Sequence, residues 1–390
     1  MYPTISEFLK SFGINLPLPI QTFGFFVALA FLFAAYTLGL ELKRKTADGL
    51  LIPHKKKIIE NKPVTWYDYA VNAGAGFLIG FKLVFAFFNY SYFADNPQDV
   101  ILSGMGSVPG GIGLAAILVY LKYREAQQLK GKTPKEKWVE IQPYEHVSNI
   151  TLIAALFGLL GAKVFHNLEN INEFLRDPVD ALLSFSGLTF YGGLIVAAFA
   201  VIRYGKKNGI APLHMADSAA PSLMLAYGIG RIGCHASGDG DWGIVNTHPK
   251  PDFLSFLPDW MWAFKYPHNV NQDGIPIPGC EGKYCFELAE AVWPTPFYEA
   301  IMGIGLFFAI WSFRKRIQIH GLLFSIYLVI NGLERFFIEK IRVNTEYNVF
   351  GMGITQAEII STSLMLIGLA GIIILTRKNK TKSNGAINES

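Results

Sequence analysis

The chain has 390 residues, of which 51% are hydrophobic, 14% aromatic and only 16% charged, with a net charge of +4 and a mean hydropathy of +0.31. A soluble domain carries about 25% charged residues, and a nucleic-acid binder concentrates a much larger basic excess, so neither class fits. What remains is an all-α polytopic membrane protein, because several windows of about 20 apolar residues are each long enough to cross a bilayer.

Nine spans are expected. Residues 1–67 hold the first, at 20–41, and a basic loop after it. Pro3, Glu7 and Lys10 precede an apolar run long enough to span, so no cleavable leader is expected. Residues 68–148 hold spans at 68–88 and 107–123 and a second basic loop. Residues 149–235 hold spans at 149–167, 187–204 and 212–235. Residues 236–295 are rich in Trp, Pro, Asp and Gly and should fold as a small cap. Residues 296–376 hold spans at 296–313, 320–339 and 355–376, and 377–390 form a tail.

The loops alternate in charge. One set carries Lys43, Arg44, Lys45, Lys55, Lys56 and Lys57, then Lys122, Arg124, Lys130 and Lys132, and later Arg203, Arg314 and Arg377. The opposite set holds only Lys10, Arg176, Lys250, Lys265, Lys283, Lys340 and Arg342. Lys/Arg bias sets orientation, so the rich side is cytoplasmic. That places the N-terminus and the cap outside and the C-terminus inside. Cys280 and Cys285 can then pair in the oxidising compartment. Without neighbouring histidines they make a weak zinc case.

Residues 77–123 and 158–204 align at an offset of 81. Gly80, Lys82, Phe93 and Pro97 match Gly161, Lys163, Phe174 and Pro178, and Gly110-Gly111 meets Gly192-Gly193 after a one-residue slip. Both copies run inside–outside–inside. A duplicated hairpin can merely add bulk, and the first copy is read that way. Transporters also carry internal repeats.

The intramembrane polar groups converge on the outer half. Arg231 lies about 19 residues into the outward-running sixth span, at about 1.5 Å per residue. An arginine at membrane depth is expensive and is kept for an anion or an internal partner. No carboxylate lies within a turn of it, and Asp217, about 14 residues back, suits a structural role in the inner half. Arg335, Glu339 and Arg342 are spaced by four and three and share a helix face. Glu339 can pair with either arginine, and the surplus positive charge suits a phosphate, which arginine grips with two parallel hydrogen bonds. An ion-pair staple between helices is the plainer alternative. Lys163 lies mid-to-outer, and His166 and His235 lie at the outer boundary, where histidines more often form interfacial hydrogen bonds.

The ordered motifs resemble the phosphatidylglycerol–prolipoprotein diacylglyceryl transferases. Gly230-Arg231-Ile232-Gly233 followed by Gly238-Asp239-Gly240-Asp241-Trp242-Gly243 is similar to that family's Gly-Arg signature, one residue longer. Ser186-Gly187-Leu188-Thr189-Phe190-Tyr191-Gly192-Gly193, Asp217-Ser218-Ala219-Ala220-Pro221, Pro294-Thr295-Pro296-Phe297-Tyr298-Glu299 and Arg335 through Arg342 resemble its other motifs, in family order. The family histidine is Tyr191 here, its signature asparagines are Cys234 and Ser237, and its signature Glu becomes Asp239 or Asp241. Asn331 replaces a Tyr, Phe23-Gly24 matches the first-span aromatic and Gly, and 68–123 is the added pair of spans.

The resemblance implies transfer of the diacylglyceryl group of phosphatidylglycerol to the lipobox cysteine of a preprolipoprotein, with release of glycerol-1-phosphate, in the inner membrane of a bacterium. It implies Arg231 and Arg335 as stabilisers of phosphate charge, with Glu339, Arg342, Lys163 and Asp239 around the headgroup. Tyr191 would orient a group or relay a proton, and His235 is a candidate base. The nucleophile is the substrate's own thiol, with an ordinary pKa of about 8.5, so no catalytic cysteine, metal or cofactor is expected. An anionic-lipid flippase and a non-catalytic lipid-binding scaffold remain as alternatives from other classes.

Overall fold

A computed structural model describes residues 1–183, 189–344, 346–349 and 352–388. It is mostly helical. After a short helix α1 (Ile5–Lys10), α2 (Thr22–Ala47) leads to strand β1 (His54–Glu60). The helices α3 (Trp66–Phe88), α4 (Tyr90–Asp95), α5 (Pro97–Leu102) and α6 (Val108–Leu129) follow. Strand β2 (Lys135–Ile141) then precedes α7 (Val147–Glu169), α8 (Ile171–Arg176), α9 (Pro178–Leu183) and α10 (Phe190–Lys207). Next come α11 (Pro212–Ser237), a cap with the short strands β3 (Ile275–Pro276) and β4 (Phe286–Glu287), α12 (Thr295–Phe313) and α13 (Leu322–Glu339). A hairpin of β5 (Glu346–Val349) and β6 (Met352–Thr355) joins α13 to α14 (Gln356–Asn388).

Five helical stretches are long and apolar enough to cross a membrane: Thr22–Ala47, Trp66–Phe88, Pro143–Glu169, Thr295–Phe313 and Gln356–Thr381. With these the chain is a multi-pass membrane protein. Four more helices, α6, α10, α11 and α13, have 18 to 26 residues. Two of them, α11 and α13, carry Asp217, Arg231, Glu334, Arg335 and Glu339, and this charge is what lowers their hydropathy.

The repeat is visible element by element. β1, α3, α4 and α5 recur as β2, α7, α8 and α9, each 81 residues later, and α6 recurs as α10 at 82. Each copy is a hairpin of two long helices in close contact, and the glycines explain the closeness. A Cβ on Gly80 would lie 2.3 Å from the Gly110 carbonyl oxygen, and one on Gly161 would lie 2.7 Å from that of Gly192. β1 and β2 pair antiparallel, from His54 opposite Ile141 to Glu60 opposite Lys135. Cross-strand pairs between Lys57 and Glu136 and between Lys137 and Glu60 add little, since both are exposed. In the first copy Lys82 donates to the carbonyls of Val100, Ser103 and Met105 at 2.7, 2.5 and 2.8 Å. That ammonium fills the end of the short connecting helices. Lys163 is buried at the matching place and is also engaged.

The core is α2, α11, α12, α13 and α14. Gly321 opens α13 with a positive φ of 87° and no side-chain cap of its own. Asp217 of α11 supplies the cap, accepting from Gly321 N at 2.7 Å and Phe324 N at 2.9 Å. The structural role expected of Asp217 is the one it has. At the other end of the bundle, α11 and α12 cross at a glycine pair. A Cβ on Gly303 would lie 2.9 Å from Gly228 Cα, and one on Gly228 would lie 2.9 Å from Ile304 N. The crossing sets the next turn of α11 against the previous turn of α12.

Gly238, with φ of 64°, ends α11 in a left-handed cap and starts the cap segment. The segment holds the disulfide Cys280–Cys285, as the spacing allowed. Gly243 forms a bridge with Arg342, and Ile244 N donates to Ile341 O at 2.9 Å. The cap therefore fixes the C-terminal end of α13.

The close crossing gives a test. Gly303→Val should destabilise the protein by about 1–3 kcal/mol, the usual cost of overpacking, seen as a lower melting temperature in detergent. Gly305→Ala, with nothing within 4 Å of its added methyl, should not. Equal effects would show that the crossing is not tight.

Candidate active site

The helix crossing delivers Arg231 to Glu299. Arg231 Nε lies 3.2 Å from Glu299 Oε2. Glu299 is fully buried, with a relative exposure of 0%. Its other oxygen, Oε1, accepts from Tyr227 Oη at 2.9 Å, Arg335 Nη1 at 3.2 Å and Arg342 Nη1 at 3.4 Å. Three arginines from two helices and the turn after α13 thus meet on one carboxylate. Two further carboxylates complete the set. Asp241, from the cap, pairs with both Arg231 and Arg342. Glu339 Oε2 lies 2.9 Å from Arg335 Nη2, one turn away on α13.

Each group is placed by ordinary helix geometry. Tyr227 is one turn before Arg231, and the guanidinium lies over its ring at 5.3 Å from the centroid. Glu339 pairs with Arg335 rather than Arg342, and its Oε1 accepts from Asn344 at 2.6 Å. Arg342, past the end of α13, is drawn instead to Glu299 and Asp241. The cap backbone at Gly243 and Ile244 holds it there. Thr295 Oγ1 donates to Asp241 O at 2.8 Å, tying the cap strand to the start of α12.

Arg231 is therefore not the lone charge its own helix suggested. Its carboxylate partners come from other elements, where spacing along one helix could not reveal them. An added Cβ on Gly230 would meet nothing within 4 Å, while Gly233 packs on Phe26 of α2.

The remaining expectations divide. Tyr191, at the start of α10, lies near enough to Arg335 to interact with it electrostatically. The residues before it, Ser186, Gly187 and Leu188, lie outside the described residues. Lys163 is buried in α7 and engaged there. His235 is set apart from the arginines. Its Nδ1 is 3.2 Å from Tyr266 Oη, and its ring sits among Trp260, Phe264, Tyr266 and Phe297. That box seats the cap on α11 and α12.

Between the two aspartates the structure chooses. Asp241 faces the arginines, and Asp239 turns to Cys234 and accepts from Asp241 N at 3.3 Å. Asp239 is the expected headgroup contact, but Asp241 is the one of the two that pairs with the arginines. Burial raises Asp239 above the usual carboxylate range, helped by the charge of Asp241. Burial works the same way on Asp241, but Arg231 and Arg342 outweigh it and hold it below that range. Cys234, Asp239 and Asp241 each bring a ligand atom within 4.8 Å of the others. Asp241 is already committed to two cations, so the trio does not offer a metal a free set of donors.

Asp241 was the alternative to Asp239 for the signature acid and Glu299 closes one of the family-like motifs, whereas nothing in the motifs points to Tyr227 or Glu334. Glu299 and Glu334 were visible as acids in otherwise apolar spans, and Tyr227 as an aromatic four residues before Arg231.

Fold and site together define a multi-pass membrane protein with a buried arginine–carboxylate centre under a cap. Comparison with known proteins makes this specific. The profile of the prolipoprotein diacylglyceryl transferase family matches residues 128–374. The chain belongs to that family and is a transferase of lipoprotein maturation. It is similar to the phosphatidylglycerol–prolipoprotein diacylglyceryl transferase of Leptospira interrogans, at 29% identity over 255 residues, 59% of this chain and 71% of the relative. The Corynebacterium diphtheriae enzyme of the same name is 28% identical over 238 residues, 60% and 78% of the two chains. That of Vibrio vulnificus is 29% identical over 230 residues, 58% and 73%. The helices α3 to α6 precede nearly all of the matched region.

Removing Glu299 should be costly. A buried pair that loses one partner costs about 3–5 kcal/mol, so Glu299→Ala should melt well below wild type in detergent. A loss under about 1 kcal/mol would overturn its role as hub. Asp241 gives a pH test. Its lowered value means that its contribution is complete above the ordinary carboxylate pKa of about 3.9 and is lost as pH falls through the lower folded value. Proteolysis of the cap should accelerate only in that acid range, and Asp241→Asn should make it fast at neutral pH.

Proposed function

We propose that the arginine cluster binds the phosphate of phosphatidylglycerol and stabilises its charge while the diacylglyceryl group moves to the lipobox cysteine thiol of a preprolipoprotein. Convergence of Arg231, Arg335 and Arg342 on Glu299 is the observation that carries this reading. A cluster that already grips carboxylate oxygens presents donors in the fork geometry a phosphate also accepts. The entering phosphate competes with Asp241, which is about a third exposed at the cap side of the cluster.

The chemistry is one substitution. The thiolate sulfur bonds to the glyceryl carbon, and the carbon–oxygen bond to the phosphate breaks. The bonding electrons leave with the phosphate as glycerol-1-phosphate, and the thiol proton passes to water. Charge grows on the phosphate from one to two as the bond breaks. Cations held in place by buried carboxylates meet that charge without rearranging, which is how preorganised sites lower a barrier. Arg231 and Arg335 act on the phosphate, and Glu299, Glu339 and Arg342 hold them. Tyr191, beside Arg335, orients the incoming group. His235 belongs to the aromatic seat of the cap.

In this reading all nine long helices cross the bilayer, with the N-terminus outside and the C-terminus inside. The basic loops on one side support that orientation. The Cys280–Cys285 disulfide in the cap supports an oxidising, extracytoplasmic location for it. The setting is the bacterial inner membrane, and the lipid bilayer, phosphatidylglycerol and a lipobox peptide are the partners.

The test is release of glycerol-1-phosphate from phosphatidylglycerol vesicles with a lipobox peptide. Arg231→Ala should lower turnover by at least about 100-fold, as removal of one oxyanion donor does, while its melting curve still shows a folded protein. Turnover like wild type would remove the phosphate role. A flippase or a passive lipid binder would release no glycerol-1-phosphate at all.

A further inference from the structure

Glu334 has no part in the transfer as set out above, yet it is buried at the edge of the cluster, with a relative exposure of 6%. Its Oε1 lies 3.1 Å from Tyr227 Oη, and the same hydroxyl lies 2.9 Å from Glu299 Oε1. A tyrosine hydroxyl carries one hydrogen. It can donate to one of these two carboxylates and not to both. The other contact needs a second proton, carried by a carboxyl. Glu299 has three arginines on it and is the anion. The proton therefore belongs to Glu334, which donates to Tyr227, while Tyr227 donates to Glu299.

Two independent features agree. Glu334 Oε2 is buried and has no hydrogen-bond partner. As the carbonyl oxygen of a neutral acid it is tolerable there, whereas half of a bare carboxylate would be costly. On its other side Glu334 lines an apolar groove of about 480 Å³ between α12 and α13, formed with Met302, Gly305, Leu306, Ile330 and Leu333. That wall offers no cation. Among the described residues the ion pairs of the cluster are also balanced without it: Arg231, Arg335 and Arg342 face Asp241, Glu299 and Glu339. An ionised Glu334 would tip the site to net negative, against a substrate that is itself an anion.

We propose that Glu334 is a positioning residue that holds a proton in the working enzyme, and through Tyr227 keeps the arginine centre neutral enough to admit the lipid phosphate. The inference rests on the phosphate reading of the cluster. The groups facing Glu334 are Tyr227 and Arg231 from α11, Glu299 from α12, and Tyr327 and Arg335 from α13 itself. The fourth neighbour, α14, brings charge near its ends, where Glu358 is taken by Lys340 and by Thr355 N. Ionisation of Glu334 should weaken lipid binding, so the effect falls on the KM for phosphatidylglycerol more than on kcat.

The experiment compares wild type with Glu334→Gln, which keeps a neutral amide in place of the acid. The glycerol-1-phosphate assay is run across alkaline pH, and the ratio of the two kcat/KM values cancels ionisation of the peptide thiol. The ratio should rise by up to about tenfold per pH unit once Glu334 ionises in wild type, the slope of a single proton. A ratio flat with pH overturns the proposal. Infrared spectra of protein labelled with carbon-13 glutamate give a readout that does not use turnover. A protonated-carboxyl band should be present in wild type, absent in Glu334→Gln and shifted in Tyr227→Phe. No such band in wild type also overturns it, even if the Gln variant does not fold. Should wild type release no glycerol-1-phosphate at any pH, the phosphate reading fails while the band still reports on Glu334.

Discussion

Everything at the capped end of this protein depends on one buried carboxylate. Glu299 takes Arg231 on one oxygen and Arg335, Arg342 and Tyr227 on the other. Charges of this kind out of water are tolerable only when matched and hydrogen-bonded. The match in turn demands that α11 and α12 cross within glycine distance, at Gly228 and Gly303. It also demands that the cap hold Arg342 beyond the end of its helix. Helix packing, cap docking and site geometry are therefore one constraint met in three places.

The two ends of α11 show two uses of buried charge. At one end Asp217 caps α13 with two backbone hydrogen bonds and joins two helices. Near it Glu41 is closed in by Arg44 and by Arg314 at 3.1 Å. These contacts are complete among the protein's own groups. At the other end the carboxylates balance three arginines, and the pairing there is less closed: Asp241 is 32% exposed, against 1% for Glu41. Arg231 staples α11 to α12 through Glu299.

Much of the architecture could be read from the chain, because each helix repeats its apolar pattern and each short loop carries its charge bias. The 81-residue repeat was legible from Gly80 and Gly161, since only glycine lets the paired helices touch. Spacing gave Arg335 and Glu339 correctly, as both lie on one helix. It failed where partners are remote in sequence. Glu299 is 68 residues from Arg231 and 36 from Arg335, and no period along one helix connects them. Asp239 and Asp241 could not be separated by motif alone, because the motif is one residue longer here and both acids fall beside its signature position. His235 lies one turn from Arg231 along the axis, but the cap's aromatic rings claim it.

The strap formed by β1 and β2 carries a further implication. Each strand is the other's counterpart in the repeat, and they pair antiparallel with Lys57 opposite Trp138, the middle position of both. Position by position, the first copy offers the second what the second offers the first. Such reciprocity is the mark of an isologous contact, the kind two identical subunits make across a twofold axis. Within the strap the chain thus holds a local twofold relation between its two repeats, centred on Lys57 and Trp138, so that one substitution pattern on either strand is read identically by the other.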